Sequence, residues 1–122
     1  MVRSRVAIAI PAFNEEKTIF SIVKSSKKHG QVIVVDDGST DKTAEKAKKG
    51  GAIVLIHKIN KGYDEAINSA FKKAIKLKFK YFITFDADGQ HHIKLLKEFI
   101  NLLGTGIPIV LGVRDKKARI AE

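Results

Sequence analysis

The chain has 122 residues, 23 Lys and Arg against 13 Asp and Glu, a formal net charge of +10 and no cysteine. At 44% hydrophobic it has globular composition and the length of a single domain spanning 1–122, and the lack of cysteine excludes disulfides and thiolate chemistry. No apolar run approaches the roughly 20 residues that span a bilayer, and the apolar run over 6–12 is too short for a signal peptide. The expected location is cytoplasmic, with peripheral contact at the inner membrane face.

The first element is Val6-Ala7-Ile8-Ala9-Ile10, apolar throughout and too short for a helix. It reads as a strand buried on both faces, and Pro11 is expected to stop its pairing. Asn14 is the expected N-cap of a helix in which Ile19, Ile22 and Val23 recur at helical spacing, closed by Gly30. Residues 31–35 form the second apolar strand. It runs into Asp36-Asp37-Gly38-Ser39-Thr40-Asp41, a dense group of turn and cap residues. A short Ala/Lys helix follows to about Lys49, Gly50-Gly51 breaks it, and residues 52–56 make the third strand.

After the turn at Asn60-Lys61-Gly62, residues Ala66, Ile67, Ala70, Phe71, Ala74 and Ile75 trace the clearest amphipathic helix of the chain. Residues 81–85 make the fourth strand. Leu95, Leu96, Phe99, Ile100 and Leu103 mark a further helix, and residues 108–113 a fifth strand. The tail from Arg114 to Glu122 is expected to be short and polar. Strand and helix alternate throughout, which predicts an α/β fold: a mostly parallel sheet with helices on both faces.

In such sheets ligands bind at the carboxyl ends of the strands, near the switch in strand order. Polar residues gather there: Asn14 and Glu15, then Asp36 and Asp37, then Asp86 and Asp88, then Arg114. Asp86 and Asp88 are two apart after the fourth strand, so in extended chain they face one side. Two close carboxylates repel unless a cation lies near them, and Mg²⁺ or Mn²⁺ suits such oxygen ligands. Gln90 adds a neutral oxygen. No G-x-G-x-x-G or P-loop motif is present, which disfavours dinucleotide and P-loop chemistry. His91 and His92 are adjacent and point apart, as a loop pair does. A receiver domain would need its acids where Pro11-Ala12 and His57-Lys58 stand.

Four segments, in order and at characteristic spacing, resemble the inverting family-2 glycosyltransferases with the GT-A fold. The dolichyl-phosphate mannose and glucose synthase branch is the most similar. They are Val6-Ala7-Ile8-Ala9-Ile10-Pro11-Ala12-Phe13-Asn14-Glu15-Glu16, Val34-Val35-Asp36-Asp37-Gly38-Ser39-Thr40-Asp41-Lys42-Thr43, Asn60-Lys61-Gly62 and Asp86-Ala87-Asp88-Gly89-Gln90-His91. The resemblance implies a Rossmann-like nucleotide-sugar-binding domain. Pro11, Phe13 and Glu15 would line the nucleotide pocket, with Phe13 where the family often has Tyr. Val35 and Asp37 would hold base and ribose. Asp86, Ala87 and Asp88 would form the family's DXD signature, with Asp88, Gln90 and Asp86 on Mg²⁺ or Mn²⁺, and Arg114 near the donor phosphates.

The implied partners are a UDP- or GDP-sugar donor and a lipid-phosphate or glycan acceptor. A catalytic base is not identified. The sequence departs from the family at Asp64, where a second Gly is common, and in length, since family members run well beyond this chain. It is therefore expected to be the donor-binding part, lacking most of the acceptor half. The competing expectation is a module that binds a nucleotide sugar without turnover. The Lys residues lie along helices, where a solvated face explains most of them, so no nucleic-acid partner is expected. An uncovered sheet edge would favour pairing with a second copy.

Overall fold

A computed structural model describes residues 5–85 in full and the backbone of residues 110–114 and 117–121. Strand β1 (Val6–Ala12) shows how the sequence sorts itself into layers. Successive strand side chains point to opposite faces. Val6, Ile8, Ile10 and Ala12 therefore enter one core, and Ala7 and Ala9 enter another. In the first core they meet Ile19, Ile22 and Val23 of α1 (Ile19–Lys27), Ala47 of α2 (Thr43–Gly50), and Val32 and Val34 of β2 (Gln31–Asp37). In the second they meet Ala66, Ala70 and Ala74 of α3 (Tyr63–Lys76), together with Ile33 and Val35 of β2. Alanines on both the strand and the helix let α3 lie close to the sheet. Burying each of the fully enclosed Ile side chains contributes about 1.5–3 kcal/mol.

The remaining strands are β3 (Ile53–His57), β4 (Tyr81–Phe85), β5 (Val110–Arg114) and β6 (Lys117–Ala121). The sheet order is β3-β2-β1-β4-β5-β6. All neighbours are parallel except the β5–β6 pair. The chain leaves β1 toward β2 and β3, then returns to the other side of β1 for β4. The switch in strand order thus lies between β1 and β4, and helices cover both faces, as the sequence predicts.

Three local expectations change. Strand β1 runs on through Pro11 to Ala12, paired with Asp36 of β2. Among the described residues its register with β4 ends at Ala9 opposite Thr84, and proline is tolerated where a strand's pairing on one side stops. Helix α1 starts at Ile19, and Asn14 does not cap it; Asn14 sits in the left-handed region at φ 52° in the preceding loop. The tail is not merely a polar extension, because Lys117–Ala121 pairs antiparallel with β5, Arg114 opposite Lys117. The expected helix around Leu95–Leu103 and the pair His91 and His92 lie outside the described residues.

Candidate functional site

The carboxyl edge of the sheet is built from two loops that fasten each other. The Asn14 amide donates to Ser39 Oγ at 2.8 Å, and the Thr40 amide donates back to Asn14 Oδ1 at 2.9 Å. The left-handed backbone at Asn14, which Asn tolerates better than most residues, turns its amide and side chain toward the same loop. Next along the chain, the Glu15 amide donates to Thr43 Oγ1 at 2.9 Å and the Glu16 amide to Asp41 Oδ2 at 3.3 Å. Asp41 also accepts the Thr43 amide at 3.0 Å and the Thr43 hydroxyl, which fixes the start of α2. Burial works to raise the Asp41 pKa, but the Thr43 hydroxyl and the Thr43 and Glu16 amides outweigh it and hold it below the usual carboxylate range.

Asp37 ties in a third loop. It is 5% exposed, and its Oδ1 accepts the Lys61 amide at 2.9 Å while Oδ2 accepts the Gly62 amide at 2.9 Å. His57 lies directly across from it on β3, with Nδ1 2.8 Å from Oδ1. Burial again works upward on its pKa. The two amides and the imidazole prevail, so the Asp37 carboxyl is held below its ordinary value. Gly38 beside it has φ +84°, and a Cβ there would lie 2.6 Å from the Asn60 backbone nitrogen. Asp37 and Gly38 together form a seat for residues 59–62: one supplies the acceptors, the other the space. Gly62 has φ 98° and ψ 166° at the start of α3, a conformation that glycine adopts readily.

The expected site residues fall into four groups. Pro11 is half-buried, Phe13 is 47% exposed and Glu15 is half-buried, all at or just after the end of β1. Asp37 is at the end of the adjacent β2, and the Val35 side chain is wholly buried in the α3-side core. Arg114 ends β5, which runs parallel to β4, so its backbone reaches the same edge. Asp86, Ala87, Asp88 and Gln90 lie outside the described residues; β4 ends at Phe85, immediately before them. Among the described residues no group of three or more His, Cys, Asp or Glu is placed to hold a metal ion.

Asp36, which the acid cluster drew attention to, accepts the Ser39 amide at 3.0 Å and so shapes its own turn. Sequence reasoning assigned no individual role to His57, Ser69 or Thr43, while Asp41 was read within the turn and cap group after the second strand. Asp41 and Thr43 did carry a signal, an Asp two residues before a Thr at a helix start, which is a capping pattern. The Lys side chains of the helices, such as Lys24, Lys27, Lys48, Lys49, Lys72 and Lys76, are exposed, consistent with a solvated face. No helix among the described residues is long and apolar enough to cross a membrane.

This edge can bind chemically in two ways. Its carboxylates accept N–H and O–H groups, and the exposed Phe13 ring offers an apolar face. Comparison with known proteins gives the arrangement a family. An uncharacterised protein of Methanocaldococcus jannaschii is 44% identical over 115 residues, covering 92% of this chain and 47% of that protein. The UDP-N-acetylglucosamine--dolichyl-phosphate N-acetylglucosaminyltransferase of Methanococcus voltae is 36% identical over 110 residues, covering 75% of this chain and 44% of the enzyme. The chain thus spans about half the length of these curated relatives.

Among solved structures, glucosyl-3-phosphoglycerate synthase of Mycobacterium tuberculosis, in complex with Mn²⁺, UDP-glucose and phosphoglyceric acid, superposes with a TM-score of 0.56. It is 28% identical, over 70% of this chain and 33% of that one. The sheet and helices described above are the Rossmann-like GT-A arrangement of such enzymes. The profile of glycosyl transferase family 2 matches residues 7–119, and the chain belongs to that family.

Proposed function

We propose that this chain forms the donor-binding part of an inverting glycosyltransferase, which moves a sugar from a nucleotide-diphosphosugar to a polyprenyl phosphate with Mg²⁺ or Mn²⁺. The observation that carries the reading is the set of groups at the switch-point edge. Phe13, Asp37 and the tethered Lys61–Gly62 backbone lie there, and β4 ends beside β1 at Phe85, one residue before Asp86-Ala87-Asp88. Phe13 supplies a ring for a base to stack on. Asp37 supplies an acceptor for base N–H or ribose hydroxyl groups, a charge-assisted contact.

The donor set Asp86, Asp88 and Gln90 is all oxygen, which suits Mg²⁺ or Mn²⁺. A bound divalent ion would stabilise the negative charge that the departing nucleoside diphosphate gains. Arg114 would add positive charge near the donor phosphates. A phosphate acceptor is already a nucleophile and needs little help from a base. Relatives named as dolichyl-phosphate transferases support this acceptor class, and so does a basic surface suited to an anionic membrane face.

The test is calorimetric titration of UDP and GDP into wild type and Asp88→Ala, each with and without Mn²⁺. The expected result is that Mn²⁺ tightens binding in the wild type and has no effect in a folded Asp88→Ala. Equal Mn²⁺ dependence in both would remove Asp88 from the metal set. Donor binding without sugar transfer to any polyprenyl phosphate would favour a non-catalytic nucleotide-sugar module.

A further inference from the structure

His57 connects the candidate donor edge to the middle of α3. Its Nδ1 lies 2.8 Å from Asp37 Oδ1, and its Nε2 lies 2.8 Å from Ser69 Oγ. The ring is enclosed, its side chain 10% exposed. An ionised carboxylate only accepts hydrogen bonds, so Nδ1 carries a proton in either charge state of the ring. In the neutral ring Nε2 then accepts the Ser69 hydroxyl proton.

The connectivity Ser-His-Asp is that of a nucleophilic triad, but the surroundings are not. Ser69 lies within α3 (Tyr63–Lys76), where backbone amides are used by the helix and cannot stabilise an oxyanion. Asp37 is also shared with the Lys61 and Gly62 amides. The chain of contacts therefore works as a strut. Ser69 sets the ring, the ring sets the carboxylate, and the carboxylate sets the Lys61–Gly62 turn. Among the described residues Oδ1 has two partners and Oδ2 has one, so the acceptor capacity left over there is mainly on Oδ2.

We propose that His57, braced by Ser69, is a positioning residue for the donor site: it orients Asp37 so that the carboxylate holds the Lys61–Gly62 turn while Oδ2 stays open to an N–H or O–H group of a nucleoside diphosphate. This rests on the nucleotide reading above. It adds a residue that does not itself touch the ligand, and it gives the His-x-x-Asn-x-Gly spacing of residues 57–62 a physical purpose.

The test uses His57→Leu, which removes both contacts, His57→Asn, whose side-chain amide can still donate from the δ position, and Ser69→Ala. Amide hydrogen exchange in the ligand-free chain is measured by NMR, followed by UDP and GDP affinity. The expected result is exchange at Lys61 and Gly62 faster by on the order of tenfold or more in His57→Leu. The amide of Val34 should not change, and His57→Asn should retain most of the protection. Nucleotide affinity should fall in the same order, least for His57→Asn and most for His57→Leu, with Ser69→Ala between.

Unchanged Lys61 and Gly62 exchange in folded His57→Leu would overturn the proposal. So would His57→Asn behaving like His57→Leu, because then ring packing rather than the Nδ1 donor matters. If His57→Leu does not fold, Ser69→Ala decides, and unaltered exchange and affinity there would remove the brace. No nucleotide binding by the wild type would defeat the donor reading itself, while the exchange rates would still decide whether His57 holds the turn.

Discussion

A Cβ on Gly38 would stand 2.6 Å from the backbone nitrogen of Asn60. The glycine in the Asp-Asp-Gly-Ser motif is thus needed twice, for its φ of +84° and for the approach of residues 59–60. We expect Gly38→Ala to destabilise the chain by about 2–4 kcal/mol, from backbone strain and overpacking together. The turn at residues 59–62 should shift with it. Urea unfolding and the amide shifts of Asn60, Lys61 and Gly62 would measure this. A loss below about half a kcal/mol would mean that the loop moves aside freely.

Gly62 makes a different case, since no atom of the described residues beyond its chain neighbours lies within 4 Å of a Cβ placed there. Gly62→Ala should therefore carry only the conformational penalty of its φ, about 1–3 kcal/mol. Comparing the unfolding free energies of Gly38→Ala and Gly62→Ala separates steric from torsional demands. A greater loss at Gly62 would contradict the geometry.

Acid sensitivity should trace to Asp37 and Asp41, whose carboxyls are held below their ordinary values. A carboxylate with a lowered folded-state pKa stabilises the fold above its unfolded pKa, about 3.9, and loses that contribution as pH falls through the lower folded value. Stability should thus be level near neutrality and fall below roughly pH 5. Asp37→Asn should be less stable at pH 7 and show a shallower acid slope than wild type. Unfolding midpoints from pH 7 to pH 3 check this, and parallel curves would exclude Asp37 as a contributor.

Ser26 on α1 is fully buried, and its hydroxyl has no hydrogen-bond partner among the described residues. An orphaned buried hydroxyl is destabilising relative to an apolar group of similar size. Ser26→Ala should be neutral or raise stability by up to about 1 kcal/mol. A clear loss would reveal a partner for the hydroxyl.

How much of this was open to reading from the sequence depended on where the determining contacts lie. The strands were legible because Val6 to Ile10 and Val32 to Val35 are apolar on both faces, a pattern set by local composition. Asn14 was misassigned because the same residue type favours helix caps and left-handed loop positions, and only its partners Ser39 and Thr40, 25 and 26 residues away, choose between them. Strand β6 carries Lys117 and Arg119 between Ala118, Ile120 and Ala121, and an alternation this short is decided by its pairing with β5. The acids at and after the end of β2 were placed at the sheet edge, as the structure has them, yet Asp36 and Asp41 are used largely to build turns and a helix start. His57 and Ser69 meet only because β3 and α3 pack on the same sheet, which no local pattern announces.

The most direct measurement is a thermal-shift panel of UDP, GDP, CDP and their sugar conjugates, each with and without Mn²⁺. A ligand that binds only the native chain must raise the midpoint, by the equivalent of about 2.7 kcal/mol at a hundred times its Kd. The account predicts a rise with one nucleotide that Mn²⁺ enlarges. No rise with any nucleotide, in either condition, would contradict the assignment of this edge as a donor site.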